Sequence, residues 1–241
     1  MFRRLTAGLA VTLMLLAFPA MAEEVTLAHR GLTLNAKLEL AKGKQLKDGV
    51  VLITHGTLAH NDMEMLVYLR ELLHERGYNT LAINLSLGVN NRHGMYECAT
   101  THRHQHEDAV GEITAWVDWL GKKGVKQVTV LGHSRGGAQT ALYAGAQDQP
   151  IVKAVVLLAP AMANPNEAAD YRNRGKQPLA PLLDNARQLV KNGKGGTVLK
   201  PIDILYCPGS SATAASFASY YGNGERTDTP TLITRVKQPV L

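Results

Sequence analysis

The chain has 241 residues, of which 45% are hydrophobic, 19% charged and 5% aromatic. That length holds one large domain or two small ones around a substantial core, and the composition excludes a disordered chain, a collagen-like repeat and a disulfide-dense scaffold. The formal charge is +6, but Arg3 and Arg4 lie in an apolar leader; without residues 1–22, 24 basic residues face 20 acidic ones and the charge is +4. The lysines are scattered apart from Lys42, Lys44 and Lys47, with no basic helix and no aromatic interleaving, so nucleic acid is not an expected partner.

Met1–Arg4 is basic, Leu5–Phe18 is an apolar run of 14 residues, Pro19 breaks it, and Ala20-Met21-Ala22 supplies small residues for a signal peptidase. This is the three-part pattern of a secretory signal peptide cut after Ala22. The run is short for a membrane-spanning helix, which needs about 20 residues. No Cys follows the cleavage site. The mature protein is therefore expected to be exported, periplasmic or secreted, with no stable membrane anchor. An oxidising compartment permits a disulfide between the two cysteines, Cys98 and Cys207, and two buried free thiols are the alternative.

Val25, Leu27, then Leu32, Leu34, Ala36, Leu38 and Leu40 alternate about Arg30-Gly31, which predicts a β-hairpin over Glu24–Leu40. Val50–Thr54 is a continuous apolar strand of the kind buried on both faces of a parallel sheet. Asn61 or Asp62 can cap a helix whose apolar face is Met65, Leu66, Leu69, Leu72 and Leu73, and Gly77 ends it. Tyr78–Leu85 reads as the next strand, followed by a polar loop over Ser86–Gln105 that is long enough to suspect function. Ala109, Val110, Ile113, Trp116, Val117 and Leu120 share one face of a second helix, where Trp116 has core spacing and Lys122 and Lys123 form a solvated end. A strand at Gln127–Leu131, a helix at Arg135–Ala146 and a strand at Val152–Leu158 follow.

Strands and helices thus alternate through the middle of the chain, which calls for an α/β fold: a mostly parallel, doubly wound sheet with right-handed crossovers and helices on both faces. Residues 160–235 break the rhythm. They contain a helix candidate at Pro181–Val190 and a Ser/Ala stretch at Ser210–Tyr221, and read as a lid-like insertion in a domain spanning 23–241. Tyr206, Tyr220 and Tyr221 lie in it, as wall of a pocket or as packing.

The strongest chemical signal is Val128-Thr129-Val130-Leu131-Gly132-His133-Ser134-Arg135-Gly136-Gly137, a strand, then G-x-S-x-G, then a helix. A serine hydroxyl is a weak nucleophile unless it is held out from the backbone beside a base. A sharp strand-to-helix turn holds it there, and Gly132 and Gly136 allow the close approach of backbone that the turn requires. The turn leaves the Arg135 N–H at a helix N-terminus, aimed where negative charge develops. Thr54-His55-Gly56-Thr57 directly follows an earlier strand, where a second donor is expected.

With these features the chain resembles the α/β-hydrolase superfamily, serine esterases and lipases in particular. The matched residues are His55-Gly56 after the third strand, Gly132–Gly137 after the fifth and Leu158-Ala159-Pro160 after the sixth, and the likeness covers roughly residues 24–165. The resemblance implies Ser134 as nucleophile and the N–H groups of Arg135 and Thr57, with Leu58 as second choice, as the oxyanion hole. It implies acyl transfer from an ester, thioester or amide to water, a small or lipid-like acyl substrate, and no cofactor or metal. His133 occupies the variable position before the serine and is not the base.

In this superfamily the acid and then the histidine follow the serine along the chain. None of the nine histidines, at 29, 55, 60, 74, 93, 102, 104, 106 and 133, follows Ser134. Lys237–Leu241 reads as the approach to the next core strand, so the preferred expectation is a sequence cut short before the acid and the histidine, with the last core strands missing. A surrogate base from the loop histidines is a second possibility, and a non-catalytic binding or scaffold protein of the same fold is a third. His102, His104 and His106 share one face of an extended segment. With His55 and His60 they are candidates to line the substrate cleft. A metal held by His102, His104 and His106 is a further alternative, and the favoured reading is a polar loop paired with Glu97, Glu107 or Asp108.

Overall fold

A computed structural model describes residues 22–175, 177–222, 224 and 228–241. The segment read as a signal peptide, residues 1–22, lies outside them apart from Ala22. The hairpin forms as β1 (Glu23–His29) and β2 (Leu32–Glu39), antiparallel, with Arg30-Gly31 at the turn. The central strands are β3 (Val50–Thr54), β4 (Asn79–Asn84), β5 (Val128–His133) and β6 (Val152–Leu158). The sheet order is β1-β2-β4-β3-β5-β6. β2 joins β4 antiparallel, and β4, β3, β5 and β6 run parallel. Residues 239–241 continue the parallel pattern beside β6: Val155 N–H donates to Pro239 O at 2.9 Å and Leu157 N–H to Leu241 O at 2.8 Å.

Every residue of β3 and β4 is buried, because helices cover both faces of the sheet. The period of two sorts the β3 side chains. Val51 and Ile53 pack with Ala82 and Leu131 beneath α1 (Glu64–Glu75), which contributes Leu66 and, half-buried, Met65, Leu69 and Leu73. Val50 and Leu52 face α2 (Asp108–Lys122) and α3 (Arg135–Ala146), where Ile113, Trp116, Val117, Leu120 and Tyr143 are fully buried.

The cap of α1 differs from expectation. Met63 is the N-cap and offers no side-chain bond. Asn61 instead donates to Ala82 O at 3.1 Å, and Asp62 pairs with Lys37 and Arg70. Both side chains are drawn away from the helix end by partners across the chain.

Residues 160–235 hold more regular structure than their composition suggests. They form α4 (Glu167–Gly175), α5 (Leu179–Lys191), the hairpin β7 (Val198–Ile204) and β8 (Cys207–Thr213), α6 (Ala214–Tyr221) and α7 (Thr229–Ile233). Pro181 sits in the first turn of α5, where its missing N–H costs nothing. Tyr171, Phe217 and Tyr221 form an edge-packed aromatic cluster in this segment. A disulfide, Cys98–Cys207, ties the loop after β4 to β8, with Cα atoms 5.2 Å apart. Of the two fates expected for the cysteines, this is the one realised.

Candidate functional site

The site grows from the end of β5. Ser134 is the N-cap of α3 with φ 54° and ψ −124°, a left-handed backbone that a non-glycine residue adopts only under constraint. The constraint is visible. Ser134 N–H donates to Leu158 O at 3.0 Å, and Ser134 O accepts from Gly137 and Ala161 at 2.9 and 2.8 Å. A Cβ on Gly132 would collide with Gly136 O and Thr140 Oγ1, and one on Gly136 would collide with His55 O. Both glycines are therefore required by backbone proximity, as the turn geometry predicts. Ser134 is half-buried, and its side chain makes no capping bond.

The loop after β3 runs against this turn. A Cβ on Gly56 would stand 3.3 Å from Ser134 Cβ. Leu58 takes φ 54°, and Ala59 N–H closes a turn onto Gly56 O at 3.3 Å. Among the described residues the backbone N–H groups of Thr57 and Arg135 find no acceptor. The two residues are also linked by side chains: Arg135 Nε donates to Thr57 Oγ1 at 3.1 Å. A half-buried hydroxyl beside two unused N–H groups at the C-terminal edge of a parallel sheet is an arrangement able to attack a carbonyl and hold the resulting oxyanion.

His55 does not line a cleft. It is fully buried; its Nδ1 bonds Gly56 O at 2.9 Å, and its Nε2 accepts from Leu85 N–H at 3.1 Å and from Arg92 Nη2 at 3.0 Å. Two donors at Nε2 place the ring proton on Nδ1. Burial, then the Arg92 charge, pushes the His55 pKa down to about 3, so the ring is neutral. It clamps the loop that carries the Thr57 N–H. His60 is half-buried at the rim of the same loop, with Nδ1 accepting from Asp62 N–H at 3.3 Å.

His102, His104 and His106 are likewise sealed from solvent, which corrects their assignment to the cleft. Their loop is threaded beneath the insertion. His102 N–H donates to Ser211 O, Thr213 N–H donates to His102 O, Ser216 Oγ donates to His104 O at 2.6 Å, and Gln139 Nε2 donates to His106 O at 3.1 Å. The His102 and His104 rings bond to each other and to Tyr220 rather than to Glu97 or Asp108: His102 Nδ1 to His104 Nε2 at 3.1 Å, and His104 Nδ1 to Tyr220 Oη at 2.7 Å. The His106 ring stands edge-on to Tyr220 and has no hydrogen-bond partner among the described residues. Burial holds His102 at about 4 and His104 and His106 at about 3. Among the described residues no group of three or more His, Cys, Asp or Glu is arranged to hold a metal ion. Of the insertion's tyrosines, Tyr220 and Tyr221 are buried and Tyr206 is exposed.

Two residues of the polar loop had no sequence signal. Arg92 is buried and donates to Leu85 O, Gly94 O, Ala59 O and Asn84 Oδ1 as well as to His55. Ser86 N–H and Oγ both donate to the buried carboxylate of Glu112 on α2, whose pKa desolvation raises to about 7. Neither pairing has a local spacing; both exist because the loop folds back over the sheet edge.

No curated protein matches the chain. Among solved structures it is similar to Est1E from Butyrivibrio proteoclasticus with ferulic acid bound, at 22% identity and TM-score 0.61, covering 90% of this chain and 76% of that one. It is similar to a monoacylglycerol lipase from Paleococcus ferrophilus at 20% identity and TM-score 0.55, covering 86% and 75%. The esterase Pf2001 from Pyrococcus furiosus aligns at 17% identity and TM-score 0.53, covering 92% and 69%. These likenesses establish the fold. The sequence profile of the serine aminopeptidase family, S33, matches residues 45–199, well over half of the chain. The chain thus belongs to that family, within the α/β-hydrolase superfamily.

Proposed function

We propose that this protein is a serine hydrolase that cleaves an ester by nucleophilic acyl transfer, with Ser134 as nucleophile. Thioesters and amides share the chemistry, and esters are preferred because similar folds belong to an esterase, a lipase and a protein that binds ferulic acid. The observation that carries the reading is the strained backbone of Ser134 at the start of α3, which holds its hydroxyl away from the helix ladder. In this reading Ser134 Oγ attacks the carbonyl carbon as its proton passes to water, the alkoxide that forms accepts hydrogen bonds from the N–H groups of Arg135 and Thr57, and collapse of the tetrahedral species expels the alcohol, whose oxygen takes up a proton from water. Water then releases the acyl group by the reverse sequence. No histidine follows Ser134 in residues 1–241, and His55, His102, His104 and His106 are buried.

The same proposal includes export. The leader pattern of Met1–Ala22 supports it, and so does the Cys98–Cys207 disulfide, since such bonds persist in oxidising compartments. Among the described residues no helix is long and apolar enough to cross a membrane. Residues 160–235 are the proposed cap over the site. The deciding experiment is labelling with a fluorophosphonate followed by peptide mass spectrometry. Modification at Ser134 that vanishes in Ser134→Ala supports the reading; label on another residue, or none, overturns it. N-terminal sequencing of the exported protein should begin at Glu23.

A further inference from the structure

Beside the serine turn lies a cavity of about 120 Å³, lined in part by Arg135, Ala138, Ala161, Met162, Glu167 and Tyr220. Its wall is joined to the serine turn: Arg135 follows Ser134 in the chain, and Ala161 N–H donates to Ser134 O at 2.8 Å.

Arg135 is fixed at two points and unused at a third. Nε donates to Thr57 Oγ1 at 3.1 Å, and the guanidinium carbon lies 5.4 Å from the Tyr220 ring centroid. Tyr220 is itself held by His104 at 2.7 Å. The two terminal nitrogens of Arg135 donate to none of the described residues, and none of the described carboxylates lies within salt-bridge distance of them. A guanidinium is permanently charged, and its planar fork matches a carboxylate with two parallel N–H bonds. Because the arginine is already ordered, little side-chain entropy is lost on binding. Glu167 lines the same cavity, and its carboxylate opposes a second anion there, while burial raises its pKa.

We infer that this pocket selects substrates carrying a carboxylate a few atoms from the scissile carbonyl, received by the terminal fork of Arg135. The inference rests on Ser134 as nucleophile for its meaning, but its test does not. Binding is measured first, on Ser134→Ala, with monomethyl succinate against dimethyl succinate by calorimetry or ligand-observed NMR. The acid should bind at least tenfold more tightly. Arg135→Gln should erase the difference, and Glu167→Gln should widen it. Equal affinities for the two esters, or a preference that survives Arg135→Gln, overturn the inference. If Arg135→Gln does not fold, Arg135→Lys keeps the charge without the fork and should lose most of the preference; retention in full overturns it.

Turnover is measured second, on the unaltered protein, with 4-nitrophenyl hemisuccinate against 4-nitrophenyl pentanoate. A higher kcat/KM for the hemisuccinate supports the pocket, and a lower one overturns it. If neither ester is cleaved while the binding difference stands, the hydrolase reading fails and the pocket survives.

Discussion

Arg92 Nη2 and His55 Nε2 meet at 3.0 Å, and through that ring the arginine reaches Gly56 O, the carbonyl of the same peptide group as the Thr57 N–H. Arg92 is buried and supplies bonds to four other acceptors in the same corner. Truncating it leaves several buried acceptors without a donor, each worth about 1–3 kcal/mol. Arg92→Met is therefore expected to lower stability by about 3 kcal/mol or more, read as a fall in the urea midpoint. Labelling of Ser134 by a fluorophosphonate should slow in the folded fraction as well, because the loop carrying the Thr57 N–H loses its clamp. A variant as stable as the original would refute this account of the corner.

The glycines of the turn differ in why they are needed. At Gly132 and Gly136 a methyl group would meet backbone atoms that cannot move apart, so Gly132→Ala and Gly136→Ala should fail to give soluble folded protein. At Gly31 a Cβ would meet nothing within 4 Å, and only the φ of 79° opposes it. Gly31→Ala should cost about 1 kcal/mol and leave the far-UV circular dichroism unchanged. Soluble expression of the three variants side by side checks the contrast.

Stability should fall as the medium is acidified. His55, His104 and His106 are held near 3 and His102 near 4, against about 6.5 in an unfolded chain. Between these values the unfolded state binds more protons, so stability rises with pH across the window and is lost as pH drops below about 6.5. Glu112 acts in the opposite sense. Its pKa is raised to about 7 from 4.5, so between those values the folded state holds the extra proton and offsets one histidine. These five groups by themselves give a net slope of about 4 kcal/mol per pH unit near pH 5, from three uncompensated sites at about 1.4 each. Urea midpoints at pH 7.5, 6 and 5 should decline in that order; a flat profile would show that the rings are hydrated when folded.

Reduction of Cys98–Cys207 should weaken the protein. The bond closes a sequence separation of 109 residues and joins the loop after β4 to the β7–β8 hairpin. Removing a cross-link over such a span typically costs about 2–5 kcal/mol. Cys98→Ser with Cys207→Ser should reproduce the effect of a reductant on the oxidised protein, and the doubly substituted protein should be insensitive to the reductant. The urea midpoint with and without reductant reads both.

Local pattern decided much of this molecule. Val50–Thr54 and Arg135–Ala146 are legible to the residue because a parallel strand buried on both faces is a continuous apolar run and the serine turn has glycine spacing of its own; Val152–Leu158 is legible from its β-branched residues although Lys153 and Leu158 are exposed. The next parallel pairing beside β6, at residues 239–241, also follows from an apolar stretch in the right place. Only the tertiary structure decided the rest. It turned His102, His104 and His106 from a surface loop into a buried seam, because Ser211, Thr213, Ser216 and Gln139, all more than 30 residues away, supply their backbone partners. It brought Arg92 to His55 and Tyr220 to Arg135 by folding loops across the sheet edge, contacts with no period for a sequence to display. Hydrophobic periodicity reports which face a residue turns to the core; it carries no information on which distant polar group will be waiting there.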